Sequence, residues 1–320
     1  MPGLARGFQA GNILVEKNLI LAPMDGYSSW PFRSLCRELG SGVSYTEFVK
    51  AEDVLDRPHH IEKKLYFLKN ERPVFFQLYG HDPKKIVAAA LYLQEREPDA
   101  IDINLGCPNR TITSRGAGAG LMRTPLKIAR IFKNLARELD IPTTAKIRLG
   151  WKDCQNQLLI ARIIEENGGA LVAVHARTKE QGHQGDPDLS ALAEIKNSLN
   201  IPVIGNGGVS RVSGIQTMQE TTGCDGVMIG RGAIQNPWIF SKLNREDVPP
   251  NQVQAIMLDH LDRSLTFYGQ ENGLILFRKF ASNYLAPYSI SPEQRRPLLT
   301  ETDPGKFIRK MGEIFAGITV

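Results

Sequence analysis

Long apolar runs are missing from this 320-residue chain. None approaches the roughly 18 consecutive apolar residues that a membrane-spanning helix needs. The first twenty residues, MPGLARGFQAGNILVEKNLI, hold no apolar core of the secretory kind and no small-residue cleavage site, so no secretory signal is expected. Cysteine is scarce: Cys36, Cys107, Cys154 and Cys224 are scattered, and none stands in a C-x-x-C pair. That spacing excludes a disulfide framework, argues against structural zinc or any other metal site, and fits a reducing cytoplasm. Charge of one sign is also lacking. Lys and Arg number 39 against 34 Asp and Glu, a net charge of +5 that permits a polyanionic partner without demanding one. Apolar residues at 42% and charged residues at 23% belong to a folded globular chain and exclude a disordered one.

What is present is an alternation. Short apolar runs fall at Leu19–Ala22, Val43–Tyr45, Val74–Leu78, Ala100–Asn104, Thr144–Ile147, Leu171–His175, Pro202–Gly205 and Gly226–Ile229. They recur roughly every 30 residues, the length of a βα unit. Helical stretches lie between them. Asp82-Pro83 opens one with an acceptor at the N-cap and Pro at N1, Pro125 opens a second, residues 154–167 form a third, and Ser210 caps a fourth. Near-continuous apolar strands fit a parallel sheet buried on both faces. Eight such units in series predict a closed (β/α)8 barrel, with an open doubly wound sheet as the structural alternative. Beyond a linker at Asn244–Asn251 the strand signal stops. Helical stretches around 252–268, 273–286 and 305–316 predict a small all-helical domain, dividing the chain into residues 1–243 and 244–320. Residues 275–320 hold seven Lys and Arg against four Asp and Glu, a balance that an ordinary solvated surface also explains.

A barrel of this kind places its active site at the carboxyl ends of the strands. Polar and small residues collect there: Pro23-Met24-Asp25 after the first strand, Gln77 on the third, Asn104-Leu105-Gly106-Cys107-Pro108 after the fourth, Lys146 and Arg148 on the fifth, His175 and Arg177 after the sixth, Asn206-Gly207-Gly208 after the seventh, Gly230-Arg231 after the eighth. The last two loops commonly bind phosphate through backbone N–H groups, and Arg231 adds a fixed charge; tight turns alone would also use these glycines. Lys146, beside the sheet interior, should face an anion or a polar ring, and a flavin fits. Gln77 offers a donor and an acceptor to a ring edge. His175 suits a ring nitrogen, a phosphate or a structural bond. Cys107 can serve as nucleophile or general acid. Of the other cysteines, Cys36 and Cys154 fall in helical stretches and Cys224 just before a strand. The glycine stretch Gly116–Gly120 does not follow a strand directly and so is no dinucleotide fingerprint; it reads as a flexible loop gating the substrate.

Taken in order, LAPMDGYSSWPFR (21–33), TEFV (46–49), QLYG (77–80), DINLGCPNRTITSRGAGAGLM (102–122), KIRLGW (146–151), VHARTKEQG (174–182), IGNGGV (204–209) and GVMIGRGAIQNPWIF (226–240) resemble the tRNA-dihydrouridine synthases. The resemblance runs from about Asn18 to Phe240 and more weakly beyond. It implies an FMN- and NADPH-dependent enzyme that reduces uridine in tRNA, with hydride delivered to C6 of a flipped uracil and a proton to C5 from Cys107. It implies FMN held by the Pro23, Met24 and Asp25 backbone, Gln77, Lys146, His175, Asn206, Gly207, Gly208, Gly230 and Arg231. Asn104, Arg148 and Arg177 would lie near the base, and the helical domain would bind tRNA. A soluble cytoplasmic monomer is expected. The chain departs from the family at His183, where Tyr is usual, at Gly208, where an acidic residue is common, and at Asp25, often Ala or Glu. Other FMN barrels, such as dihydroorotate dehydrogenases and ene-reductases, would share the phosphate loops and the lysine but have no use for the helical tail. A non-catalytic RNA-binding barrel would not need Cys107 and Lys146.

Overall fold

A computed structural model describes residues 7–318. The chain forms two compact units. One holds the residues up to Val209 with Ser213–Gly230; the other holds Ser210–Val212 with the residues from Arg231 onward.

The first unit is a parallel (β/α)8 barrel entered through a small antiparallel hairpin. The hairpin pairs β1 (Phe8–Ala10) with β2 (Ile13–Val15). The barrel strands are β3 (Leu19–Leu21), β4 (Ser44–Tyr45), β6 (Val74–Tyr79), β7 (Ala100–Leu105), β8 (Thr143–Arg148), β9 (Gly169–His175), β10 (Val203–Asn206) and β11 (Gly226–Ile229), while the short β5 (Val49–Lys50) adds to the end of β6. All eight expected strands are present, in the order β3-β11-β10-β9-β8-β7-β6-β4. The ring closes where Gly42 N–H donates to Leu19 O at 2.7 Å. A Cβ on Gly42 would lie 1.7 Å from Lys17 O, so only glycine lets the two ends meet.

Strand residues alternate in and out, and the inward set changes character along the axis. At the amino end it is apolar: Ile20, Tyr45, Phe75, Ala100, Leu171, Ala173, Ile204 and Met228 pack with Phe8, Ala10 and Val15 of the hairpin, which stops the bottom of the barrel. Two residues further along the same faces the set turns polar. Gln77, Asp102 and Thr144 are register neighbours across β6, β7 and β8, and Asn104 stands beside Lys146 one rung above. Asn206 is the register partner of His175.

The flanking helices follow their signals with three corrections. Asp82 caps Pro83–Gln94 by accepting from Lys84 N–H at 2.9 Å, as expected, and Pro125 opens Pro125–Glu138. The third helix begins only at Gln157: Cys154 is exposed in a tight turn with Trp151, whose N–H donates to its carbonyl. Ser210 does not cap the fourth helix. That helix starts at Val212, whose N–H is taken by Asn244 Oδ1 at 2.9 Å. The glycine stretch is no flexible gate. Gly118–Arg123 is a 3-10 turn buried as far as Met122, and Cβ atoms at 118 and 120 would sit 2.9 Å from Cys107 O and 2.7 Å from Thr113 O, so these glycines serve close packing.

The second unit is helical: Pro250–Tyr268, Gln270–Tyr284, Pro292–Leu299 and Pro304–Ala316 follow the short Arg231–Gln235. The expected break between 243 and 244 falls inside this unit, because the turn Pro237–Ser241 already belongs to it: the Trp238 ring packs 6.4 Å from Tyr284, and Arg245 lies over Trp238. Met257, Leu261, Leu274, Phe277, Phe280, Phe307 and Met311 form its core. No helix among the described residues is long and apolar enough to cross a membrane.

Candidate active site

The site residues read from the sequence gather at the carboxyl ends of the barrel strands, in two groups. One is a wall of side chains on β6 to β9. The other is bare backbone after β10 and β11.

On the side-chain wall Lys146 Nζ donates to Asn206 Oδ1 at 3.0 Å. Burial, helped by the charge of Arg148, lowers its pKa to about 8. Asn206 is held in turn by donating Nδ2 to Met228 O at 2.7 Å. His175 accepts at Nε2 from Arg177 Nη1 at 3.3 Å, which leaves the ring proton on Nδ1. Burial, with Lys146, Arg148 and Arg177 nearby, pushes its pKa far down and keeps it neutral. The His183 ring lies nearly parallel to His175, 5.8 Å away, so the residue at the unusual position stacks on the site.

Cys107 is half-buried at the top of β7. Its N–H donates to Asn104 Oδ1 at 2.9 Å and its carbonyl accepts from Ala119 N–H at 3.1 Å. Burial is the main cause raising its thiol pKa, so at neutral pH it carries its proton. Cys36 and Cys224 are buried, and all four cysteines are free thiols.

Several residues expected to face a ligand are engaged below or beside the mouth. Gln77 has no exposed surface; Nε2 donates to Asp102 at 2.7 Å and Oε1 accepts from Asn104 at 2.9 Å. Arg148 is buried and ties three loop carbonyls, Gly106, Thr178 and Gly182, at 2.7, 3.1 and 2.8 Å. Arg177 donates to Gly185 O from Nε and Nη2 at 3.1 and 2.7 Å. These two guanidiniums shape the loop 178–187.

On the backbone side, Gly207 has φ +124° and Gly208 φ +75°. A Cβ at 207 would meet His175 Cδ2 at 3.1 Å, and one at 208 would meet Pro187 at 3.0 Å. Gly230 closes β11, and Arg231, the next residue, is exposed at the start of Arg231–Gln235. After β3 the Met24 backbone is folded onto itself: its N–H donates to Ser28 Oγ at 2.8 Å and its carbonyl accepts from Tyr27 and Ser28 N–H, both at 2.9 Å. The Asp25 carboxylate points out to Lys64 at 2.5 Å.

Three supporting residues went unread in the sequence. Glu47, buried with its pKa raised mainly by that burial, accepts from Gly26 N–H and fixes the β3 loop. Arg33 pairs with Glu71 at 2.9 Å, fully buried, and holds Ser28 O. Asp102 underlies Gln77. Glu47 lies within the TEFV motif and Asp102 opens DINLGCP, but nothing local distinguishes a buried acceptor from a surface carboxylate.

A parallel eight-stranded barrel with a cysteine, a lysine, a neutral histidine and paired glycine loops at one rim is the architecture of a barrel enzyme. The family model described as dihydrouridine synthase (Dus) matches residues 20–307. A tRNA-dihydrouridine synthase B of Pseudomonas aeruginosa is 35% identical over 285 residues, covering 86% of this chain and 86% of its own. One from Vibrio parahaemolyticus is 33% identical, covering 89% and 92%. Among solved structures, a 2-naphthoyl-CoA reductase complex superposes with a TM-score of 0.58 at 11% identity over 75% of this chain and 51% of its own. A morphinone reductase mutant does so at 0.54 and 11%, covering 76% and 92%. At that identity the two reductases establish the barrel fold alone. The chain belongs to the dihydrouridine synthase family and is an enzyme of that flavin-dependent oxidoreductase class.

Proposed function

We propose that this enzyme reduces the C5–C6 double bond of particular uridines in tRNA to 5,6-dihydrouridine, using FMN and NADPH. The observation that carries the reading is the Cys107 thiol, protonated, half-buried and held just past the end of β7 by Asn104, the register partner of Lys146. The residues present fit FMN. Lys146 keeps donors beyond its bond to Asn206 for a polar ring. Gly207, Gly208 and Gly230 offer backbone without Cβ for a phosphate. Gln77 has one amide hydrogen left and acts as the floor of the site. When bound and reduced by NADPH, the flavin supplies the hydride that reaches C6 of uracil.

Everything else falls to the protein. Addition at C6 leaves enolate character at C5 and the C4 carbonyl, and Cys107 donates the proton to C5 as general acid. Arg148 and Arg177 shape the mouth through the loop carbonyls they hold. The base reaches the mouth only when unstacked and flipped from the tRNA. The helical unit contributes phosphate contacts from its exposed cations, such as Arg296, Lys306 and Arg309. Arg278 and Lys310 are poorer candidates, since Arg278 holds the carbonyls of Thr300 and Glu301 and Lys310 pairs with Glu301 at 2.6 Å.

Absorbance and reconstitution test the reading. The purified protein should bind FMN, lose its yellow colour under NADPH without oxygen, and regain it on adding unmodified tRNA. A folded protein that takes up no FMN would refute it. Charge reversal at Arg296 and Arg309 should weaken tRNA binding and flatten its salt dependence by up to about one unit of slope per lost contact.

A further inference from the structure

Between β6, β7 and β8 runs a chain of hydrogen bonds whose direction follows from its upper end. The N–H groups of Gly106 and Cys107 can only donate, and both meet one atom of the Asn104 side chain, at 3.1 and 2.9 Å. That atom must be Oδ1. The other end of the same amide, Nδ2, lies 2.9 Å from Gln77, which must therefore present Oε1. Gln77 then turns Nε2 downward to Asp102 Oδ2 at 2.7 Å, and Thr144 donates its hydroxyl to Asp102 Oδ1 at 2.6 Å. An ionised carboxylate accepts and never donates, so it is the terminus this sequence of donors requires. Gln77, Asp102 and Thr144 have no exposed surface and Asn104 has 6%, so water does not compensate a reversed amide. A donor left facing a donor would stay unsatisfied in that dry setting.

We propose that Asp102 is a positioning residue for proton delivery: its carboxylate sets the orientation of Gln77, Gln77 sets that of Asn104, and Asn104 holds the Cys107 backbone so that the thiol is aimed at the substrate. The proposal rests on Cys107 being the proton donor. Asp102 has no bond to Cys107 and acts only through the two amides. Burial raises its pKa to about 6, against the pull of the Thr144 and Gln77 bonds and the Lys146 charge, so at neutral pH it is the acceptor the chain needs.

The test uses the full-length, flavin-loaded enzyme and single-turnover oxidation by tRNA. Asp102→Leu should slow this step roughly a hundredfold, the scale of an ångström misplacement of a reacting group, with little change in apparent KM for tRNA. Asp102→Asn should stay within about threefold, because its Oδ1 can face Gln77 while its Nδ2 donates to Thr144. In a Cys107→Ala background, Asp102→Leu should add less than about threefold, since the group it positions is gone. As a readout apart from turnover, alkylation of Cys107 by iodoacetamide, followed by peptide mass spectrometry, should accelerate in Asp102→Leu while exposed Cys154 keeps its rate. If Asp102→Leu does not fold, Gln77→Met removes the middle link and should give the same non-additivity and the same faster alkylation. Asp102→Asn as slow as Asp102→Leu would overturn the proposal. So would full multiplication of the Asp102→Leu and Cys107→Ala losses, or unchanged Cys107 alkylation in the folded variant. Cys107→Ala leaving the tRNA step intact would instead remove the proton-donor reading, and the proposal with it.

Discussion

Inside the barrel, polar side chains stand in rungs, Gln77 beside Asp102 beside Thr144 and Asn104 beside the half-buried Lys146, and hydrogen bonds link Thr144, Asp102, Gln77 and Asn104 in series up to the Cys107 loop. In the helical unit the buried polar residues described are Asn236, His260 and Ser264. His260 lies among aromatic rings, 4.5 Å from Phe280 and 5.1 Å from Phe277 by ring centres, with Nδ1 3.1 Å from Tyr284 Oη. Burial pushes its pKa down to about 3, as burial pushes down that of His175 at the barrel rim. Two neutral, buried histidines thus arise from the same desolvation. What separates a site from a packed core is therefore not burial or a shifted pKa. It is whether the polar groups form an ordered series leading to the strand ends.

Removing the end of the barrel series should have the largest effect. Cys107→Ala should lower turnover on tRNA by roughly 10²–10⁴-fold, the usual loss of a general acid, while NADPH-dependent flavin reduction stays near normal. Rapid-mixing measurement of the two half-reactions checks this, and equal loss in both would place Cys107 in the flavin site.

The histidine of the helical core should show itself only in stability. Its folded pKa is lowered from 6.5 to about 3, so the unfolded chain binds the extra proton between those values. Its contribution is complete above pH 6.5 and is lost as pH falls, by about 1.4 kcal/mol per pH unit, or about 3 kcal/mol near pH 4.5. Denaturant unfolding of the native chain and of His260→Leu as a function of pH should show the slope in the first and its loss in the second. Turnover measured on tRNA at neutral pH should change little.

A smaller effect belongs to the backbone side of the mouth. Gly207→Ala forces a side chain onto φ +124° with its Cβ 3.1 Å from His175, a strain of about 1–3 kcal/mol. FMN affinity, read by equilibrium titration, should fall about tenfold for each 1.4 kcal/mol that reaches the binding site. Smallest of all is Asp25→Asn. Its partner Lys64 and Asp25 itself are well exposed, so both melting temperature and FMN affinity should move within the less than about 1 kcal/mol of a surface pair. A large loss of FMN affinity there would show that the Asp25 side chain, and not its backbone, meets the cofactor.

The eight barrel strands were legible because each is buried on both faces and so reads as an apolar run; in β6, Val74 through Leu78 are all buried. The hairpin was not, since three-residue strands are too short to show a period. Pro292–Leu299 escaped because Pro297 lies inside it and few of its residues are apolar. Cys107, Lys146 and His175 were legible as polar groups at or just past the strand ends. The glycines at 116–120 misled, because the composition of a mobile loop and that of a tightly packed turn are the same.

By itself the sequence determined the parallel barrel and which polar side chains stand at its strand ends, and its motifs placed the chain in its family. These follow from periodicity, spacing and side-chain type, which are local properties of the chain. Tertiary structure alone decided the partners. It turned Gln77 inward to Asp102, gave Arg148 three loop carbonyls, brought Glu47 to Gly26 and Asn244 to Val212. Each of these is a choice among many donors and acceptors distant in sequence. A buried polar group must find some partner, but which one it finds is set by strand register and close packing, and neither is encoded in any short stretch of residues.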